Sequence, residues 1–326
     1  MFEISNLTAR TYSMLGQRGA IFGVASLECA KSNPLFMLMT ADLATLSGME
    51  RYKKIYPNQH LNIGIAEQNM LGVAAGLTAE GFHVVVTTYA TFVTMRSCEQ
   101  IRHYLGYMNL PIVVVGSGAG LSQGFAGNTH YTIEDISMMR AIPNLRILSP
   151  SDAVSAVKLF NLAIEVNVPT YIRLTGNLNC PIVYRENTEF SLGGSNKVVE
   201  GTEITILACG TMVSTAIKAA KELKVRGFSA SVVDMYSIKP IDADAIIAAK
   251  ESKLIVTVEE HNKMGGLGAA VAEILSNYSN MPRLLRLGIS DRFDLAGEYE
   301  YLLQQNRLTP ILVVEDIIEV LNQGNV

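Results

Sequence analysis

Short apolar runs separated by helix-forming segments recur along most of this 326-residue chain. Residues 36–40, 83–87, 112–116, 146–148 and 170–174 are short, apolar and bounded by Gly, Pro, Asn or Asp, as strands buried on both faces tend to be. Helix-forming stretches fill 5–19, 68–80, 96–105, 133–141 and 152–166. Such an alternation implies a parallel sheet with helices on both faces. Residues 181–203 change character: they are polar, carry Gly193-Gly194 and read as a linker. The alternation then resumes, with strands at 204–208, 230–235, 254–259 and 283–288 and helices at 213–227, 243–251 and 267–276. Val213, Ile217, Ala220 and Leu223 share one helical face. The expected architecture is therefore two doubly wound α/β domains, residues 1–185 and 201–326, joined by a linker at 186–200.

Composition narrows the function classes. Hydrophobic residues make up 49% and charged residues 17%, enough apolar surface for a large core in each domain. A net charge of -4 argues against a nucleic-acid binder, which normally carries a basic face. Cys29, Cys98, Cys180 and Cys209 are far apart and belong to no paired motif, so they read as core thiols in a reducing compartment. The first residues have no basic start followed by an apolar run, and no apolar stretch reaches the length of a membrane span. A cytoplasmic protein without membrane contact is the expectation.

Four segments could carry chemistry. In Leu61-Asn-Ile-Gly-Ile-Ala-Glu-Gln-Asn-Met70, a single carboxylate, Glu67, stands where an apolar strand gives way to a helix of small residues. A carboxyl in such a dry place is expected to hold its proton more tightly, which suits proton sharing with a ring nitrogen of a cofactor. The alternative is a glutamate satisfied by the backbone N–H groups and dipole of a helix start. Tyr89 and Phe92 follow a strand end, where ligands of parallel sheets bind; they could offer ring faces to a flat heterocycle or simply fill the core. Residues 116–130 hold five glycines, a close-approach or mobile loop without the Gly-Lys-Ser/Thr ending of a phosphate loop or the spacing of a dinucleotide fingerprint. That loop gives His130 a route to a ligand, and imidazole suits proton traffic near neutral pH. Glu259, Glu260 and His261 lack zinc spacing and a second ligand cluster, so no metal site is expected. Lys239, Asp242 and Asp244 beside Pro240 read as a solvated helix start.

Taken in order, Asn62-Ile-Gly-Ile-Ala-Glu-Gln-Asn69, Tyr89-Ala-Thr-Phe-Val93, Ala119-Gly-Leu-Ser122, Thr129-His130, Ile133-Glu-Asp-Ile136, Met139-Arg-Ala-Ile-Pro-Asn144, Val232-Val-Asp-Met235, Ser237-Ile-Lys-Pro-Ile-Asp242 and Thr257-Val-Glu-Glu-His261 resemble the thiamine diphosphate-dependent transketolase family. The likeness is to the separately encoded C-terminal halves of split transketolases, and it covers nearly the whole chain. It implies a pyrimidine-binding domain followed by a transketolase C-terminal domain. It also implies that Glu67 bonds the aminopyrimidine ring and shares its proton, and that Phe92 stacks on that ring. Tyr89, Arg96 and Ile65 would stand beside the cofactor. His130 would face the substrate, with Tyr131 and Arg173 on the same wall. The family holds the diphosphate and Mg²⁺ through a Gly-Asp-Gly motif that this chain lacks. The resemblance therefore implies a partner subunit that supplies that site, with a homodimer of this chain inside a heterotetramer acting on sugars.

The departures from the pattern matter too. Transketolases that use sugar phosphates place a His where this chain has Gly118 and an Arg where it has Gly176, and both contact phosphate. An acidic stretch is replaced by Phe125-Ala126-Gly127, and a Gln by Tyr131. A glycine forfeits any charge-assisted phosphate bond. The expected substrate is thus not an ordinary pentose or hexose phosphate; a nucleotide-linked keto sugar, or pyruvate with a bulky acceptor, fits the departures. The alternative is that Arg173 or partner groups hold a phosphate. Two other functions share the domains: the β-type subunit of a 2-oxo acid dehydrogenase, and a non-catalytic regulatory paralogue.

Overall fold

The computed structural model describes residues 4–323, so the outermost ends of both expected domains lie outside the described residues. The strands are β1 (Phe36–Thr40), β2 (His60–Asn62), β3 (His83–Tyr89), β4 (Val113–Ala119), β5 (Arg146–Leu148), β6 (Thr170–Thr175), β7 (Asn196–Val199), β8 (Ile204–Ala208), β9 (Ala230–Asp234), β10 (Ser237–Lys239), β11 (Leu254–Asn262) and β12 (Arg283–Ile289). Among the described residues they form two sheets, of order β10-β5-β6-β4-β3-β1-β2 and β12-β11-β8-β9-β7. Every pairing is parallel except β10 on β5 and β7 on β9. The continuous apolar runs are explained by cover on both faces. Along the first sheet, Met37, Met39, Val84, Val86 and Val114 enter one core, while Phe36, Leu38, Val85, Val113 and Val115 enter the core on the opposite face. A third core lies on the second sheet beneath the helices Met212–Val225 and Pro310–Gln323.

Three differences from the sequence expectation have physical causes. The linker holds β7, whose half-exposed residues Asn196–Val199 lack the apolar signature because the strand lies at a sheet edge. Ser237–Lys239 leaves the second domain and becomes the outermost strand of the first sheet. Lys239 is therefore not a solvated residue: its ammonium donates to the carbonyls of Arg140 and Ile142 and fastens the two domains together. Asp242 does start a helix, accepting from the Ala245 N–H at 3.0 Å. Finally, the region expected as one helix at 96–105 begins where a π-helical turn, Phe92–Arg96, ends, and it passes through a short α-helical turn, Cys98–Gln100, into a second π-helical stretch, Ile101–Tyr107, a geometry that often accompanies functional sites.

Candidate active site

The turn after β2 is built by Asn62 and Gly64. Asn62 Oδ1 accepts from the N–H groups of Asp42 and Gly64, both at 3.0 Å, tying the ends of β1 and β2 together. Gly64 takes a φ of 76°, open to glycine at little cost. The chain then enters the helix Glu67–Ala79, and Glu67 stands in its first turn, where an acid complements the helix dipole. The expected apolar strand through Ile65 does not form: pairing stops at Asn62, and Ile65 is 78% exposed. Glu67 itself is only 2% exposed. It does not face an empty apolar pocket, because Arg96 Nη1 donates to its Oε2 at 2.7 Å. Gln68 Nε2 donates to the Arg96 carbonyl at 3.1 Å and holds the helix start against the π-helical turn.

That turn also places an aromatic cluster at the carboxyl end of β3. The ring centroids of Phe92 and His130 are 5.5 Å apart, those of Tyr89 and Phe92 5.8 Å, and those of Tyr89 and His130 6.1 Å, all edge to face. The Arg96 guanidinium lies 4.5 Å above the Phe92 ring, a cation–π contact. Arg96 thus covers at once the face of Phe92 and an oxygen of Glu67. Its own side chain is 48% exposed. His130 Nδ1 lies 2.9 Å from Thr129 Oγ1. The five sequence-derived residues Glu67, Tyr89, Phe92, Arg96 and His130 therefore share one surface at the sheet's carboxyl edge, while Ile65 projects toward solvent beside them.

The first part of the glycine loop is held in place. Residues 116–124 are buried, and the Leu121 N–H donates to Glu260 Oε1 from the second domain. A Cβ at Gly120 would collide with that carboxylate. At Gly118, with φ 67°, a Cβ would meet Gln123 Cγ at 2.7 Å; at Gly176, with φ 79°, it would meet Thr211 Cγ2 at 2.8 Å. A side chain at either position is excluded by backbone and neighbours together. The crevice beside these glycines is lined by Arg18, which sequence reasoning missed. Gly16 breaks the first helix (φ 68°, ψ 173°) and redirects the chain, and Gln17 Nε2 then bonds the Pro150 carbonyl at 2.9 Å. Nothing short of the tertiary contacts marks Arg18.

Two expected substrate residues are withdrawn by the structure. Tyr131 is buried in the third core and its hydroxyl donates to the Asp294 carbonyl at 3.2 Å, so it presents no face to a ligand. Arg173 is fully buried: Nε donates to Asp135 Oδ2 at 2.8 Å and Nη2 to the Glu260 carbonyl at 2.9 Å. The Tyr171 hydroxyl donates to the same Asp135 oxygen at 2.7 Å. Burial opposes ionisation of Asp135, but the Arg173 charge, His261 and the hydrogen bonds from Arg173 and Tyr171 together outweigh it and hold the carboxyl below its ordinary range. Next to it, His261 Nδ1 bonds the Asn262 carbonyl at 2.7 Å, and Nε2 accepts from the Ser137 N–H at 3.4 Å. Burial brings that imidazole down to about 4, so it is neutral. Glu259 caps the helix Leu267–Leu275, accepting from the N–H groups of Leu267 and Gly268 at 2.7 and 2.8 Å. This network joins the domains. Among the described residues, no group of three or more His, Cys, Asp or Glu side chains could hold a metal, and no helix is long and apolar enough to cross a membrane.

The fold and the edge it exposes define a two-domain α/β protein with a candidate ligand face on its first sheet. Residues 18–180 match the pyrimidine binding domain of transketolase, and residues 193–310 the transketolase C-terminal domain. The putative transketolase C-terminal section of Methanocaldococcus jannaschii is 35% identical over 300 residues, 91% of this chain and 94% of that protein. The 6-deoxy-6-sulfo-D-fructose transketolase subunit SqwH of Clostridium sp. is 35% identical over 302 residues, 92% of each. A solved split-gene transketolase, described as an inactive beta4 tetramer, superposes with a TM-score of 0.84 at 35% identity, covering 94% of this chain and 98% of that one. The chain belongs to the transketolase family, as a split C-terminal section carrying the pyrimidine-binding and C-terminal domains.

Proposed function

We propose that this chain is one subunit of a two-chain, thiamine diphosphate-dependent transketolase that moves a two-carbon ketol unit from a keto sugar to an aldehyde acceptor. One observation carries the reading: a nearly buried glutamate, an aromatic ring and a histidine meet at the carboxyl edge of the first sheet, with Arg96 covering the groups a flat ring would need. These residues fit the pyrimidine half of the cofactor. Thiamine diphosphate, when bound, supplies a carbon able to carry the negative charge of the transferred unit. Glu67 then holds a proton against the pyrimidine ring nitrogen, Phe92 and Tyr89 orient the ring, and Arg96 moves aside. His130, steadied by Thr129, exchanges a proton with a substrate oxygen. The diphosphate and Mg²⁺ belong to a partner subunit with a Gly-Asp-Gly site, which is consistent with a relative of this type being described as inactive when solved as a beta4 tetramer.

The crevice beside Gly118 and Gly176 keeps Arg18 as its cation. The absence of any side chain at Gly118 and Gly176 supports a keto sugar other than the common pentose and hexose phosphates, in line with a relative that is a transketolase subunit for 6-deoxy-6-sulfo-D-fructose. The test is to combine the purified chain with a Gly-Asp-Gly subunit, the cofactor and Mg²⁺. Two-carbon transfer should appear in the pair and in neither chain alone, with xylulose 5-phosphate a poorer donor than the sulfo sugar. Tight binding of cofactor and Mg²⁺ by this chain alone would overturn the split-site reading.

A further inference from the structure

A second cavity, of about 380 Å³, lies between the segment after β6 and the second domain, within the size range of small-molecule sites. Its back wall is the first turn of the 14-residue helix Met212–Val225. Ser214 and Thr215 line it, and each is 9% exposed. Among the described residues neither hydroxyl has a hydrogen-bond partner, although Thr211, one turn earlier, spends its own on Glu260 at 2.8 Å. Lys218 lies one turn further along the same helix face, lines the cavity and makes no ion pair among the described residues. The N–H groups of Val213 and Ser214 are already bonded to the carbonyls of Gly210 and Thr211, so the two nearly buried, unused hydroxyls and the unpaired ammonium are what form a cradle for a small anion. Glu300, which suits hydroxyl donors, and the apolar side chains of Leu178 and Leu303 also line the cavity.

We infer that this interdomain cavity binds a phosphate monoester of a small polyol or sugar, its phosphoryl group on Ser214, Thr215 and Lys218 and its hydroxyls toward Glu300. The site is separate from the proposed catalytic edge. It shares with the Arg18 crevice only the segment Gly176–Leu178, so an occupant touches the back of that crevice wall.

The test is calorimetric titration of the full chain with glycerol 3-phosphate and, separately, inorganic phosphate. The ester should bind with a Kd of about a millimolar or better, and more tightly than the inorganic ion. Lys218→Met, a surface change, should weaken the ester about tenfold or more through loss of a charged partner, and Ser214→Ala with Thr215→Val should do likewise. Arg18→Met should leave the affinity unchanged. Absence of binding, equal affinity for ester and inorganic phosphate, or a loss caused by Arg18→Met but not by Lys218→Met would each overturn the assignment.

Discussion

Two clusters of charged and aromatic side chains flank the first sheet, and they are built in opposite ways. In the cluster around Asp135, every charge is buried: Arg173 serves Asp135 Oδ2 and a carbonyl of the second domain, His261 is neutral between backbone partners, and Asp135 Oδ1 is left without a hydrogen bond. In the cluster around Glu67, the acid is buried but its partner Arg96 is half exposed and lies over a ring rather than within a core. Both contain an Arg–carboxylate pair, at 2.8 and 2.7 Å. Distance does not separate structure from function here; the exposure of the cation does. The sealed pair ties the two domains together, whereas the half-open pair shelters a carboxylate beneath a cation that still meets solvent.

The largest effect should come from breaking the open cluster. In the reconstituted two-chain enzyme, Glu67→Ala should lower turnover by about a hundred- to ten-thousandfold, the usual contribution of a positioned acid–base group. Chromatography should still show the assembled pair, and unfolding stability should change little. Loss of assembly together with activity would make Glu67 a structural residue and erase the contrast with Asp135.

The sealed cluster should fail the other way. Asp135→Ala strands the buried Arg173 guanidinium and should cost about 3–5 kcal/mol in urea unfolding. Residual folded protein should keep its cofactor-dependent chemistry in proportion to the folded fraction. A stable, inactive Asp135→Ala protein would move Asp135 into the catalytic group and void the comparison.

The same division explains what could be read from the sequence. The strands at 36–40 and 146–148 were legible residue for residue because their apolar runs are short and sharply bounded. Glu67 and Phe92 were legible as candidates because each follows a strand end, and the family likeness drew them together. Arg173 and Tyr131 were misplaced because both lie in motifs near ligand-facing positions, while burial is decided by the other domain: Glu260 and Asp294 capture them across the interface. β7 and β10 escaped notice because a strand of three or four residues at a sheet edge needs no apolar period. The lock from Glu260 onto Leu121 joins positions 139 apart in the chain, beyond the reach of any local pattern.

A pH experiment sharpens the account of the sealed region. Burial raises Glu259 from its ordinary 4.5 to about 7, against the pull of its two N–H donors. The folded state therefore keeps a proton that the unfolded state releases. The resulting stability is fully present below pH 4.5 and is lost as pH rises to about 7, a fall of about 3 kcal/mol from this group. His261 has the opposite sign, losing stability as pH falls from 6.5 toward 4. Its contribution cancels when wild type and Glu259→Gln are compared. Urea unfolding at pH 5 and pH 7 should show a decline smaller by about 2 kcal/mol in the variant, because part of the loss already falls below pH 5. An identical decline would mean that Glu259 ionises freely in the folded protein and that its surroundings are wetter than the packing indicates.

The smallest effect is the most discriminating. Arg96→Met and Arg173→Met each remove the cation of one Arg–carboxylate pair. If exposure of the cation sets the energetic role, Arg96→Met should cost about 1 kcal/mol or less, as for a solvent-accessible pair. Arg173→Met should cost about 3–5 kcal/mol because it leaves a buried carboxylate without its counter-charge. Equal losses in the same unfolding assay would mean that Glu67 depends on Arg96 as fully as Asp135 depends on Arg173. Arg96 would then be a fixed strut rather than a movable cover, and the carboxylate beneath it would have no route to a ring nitrogen.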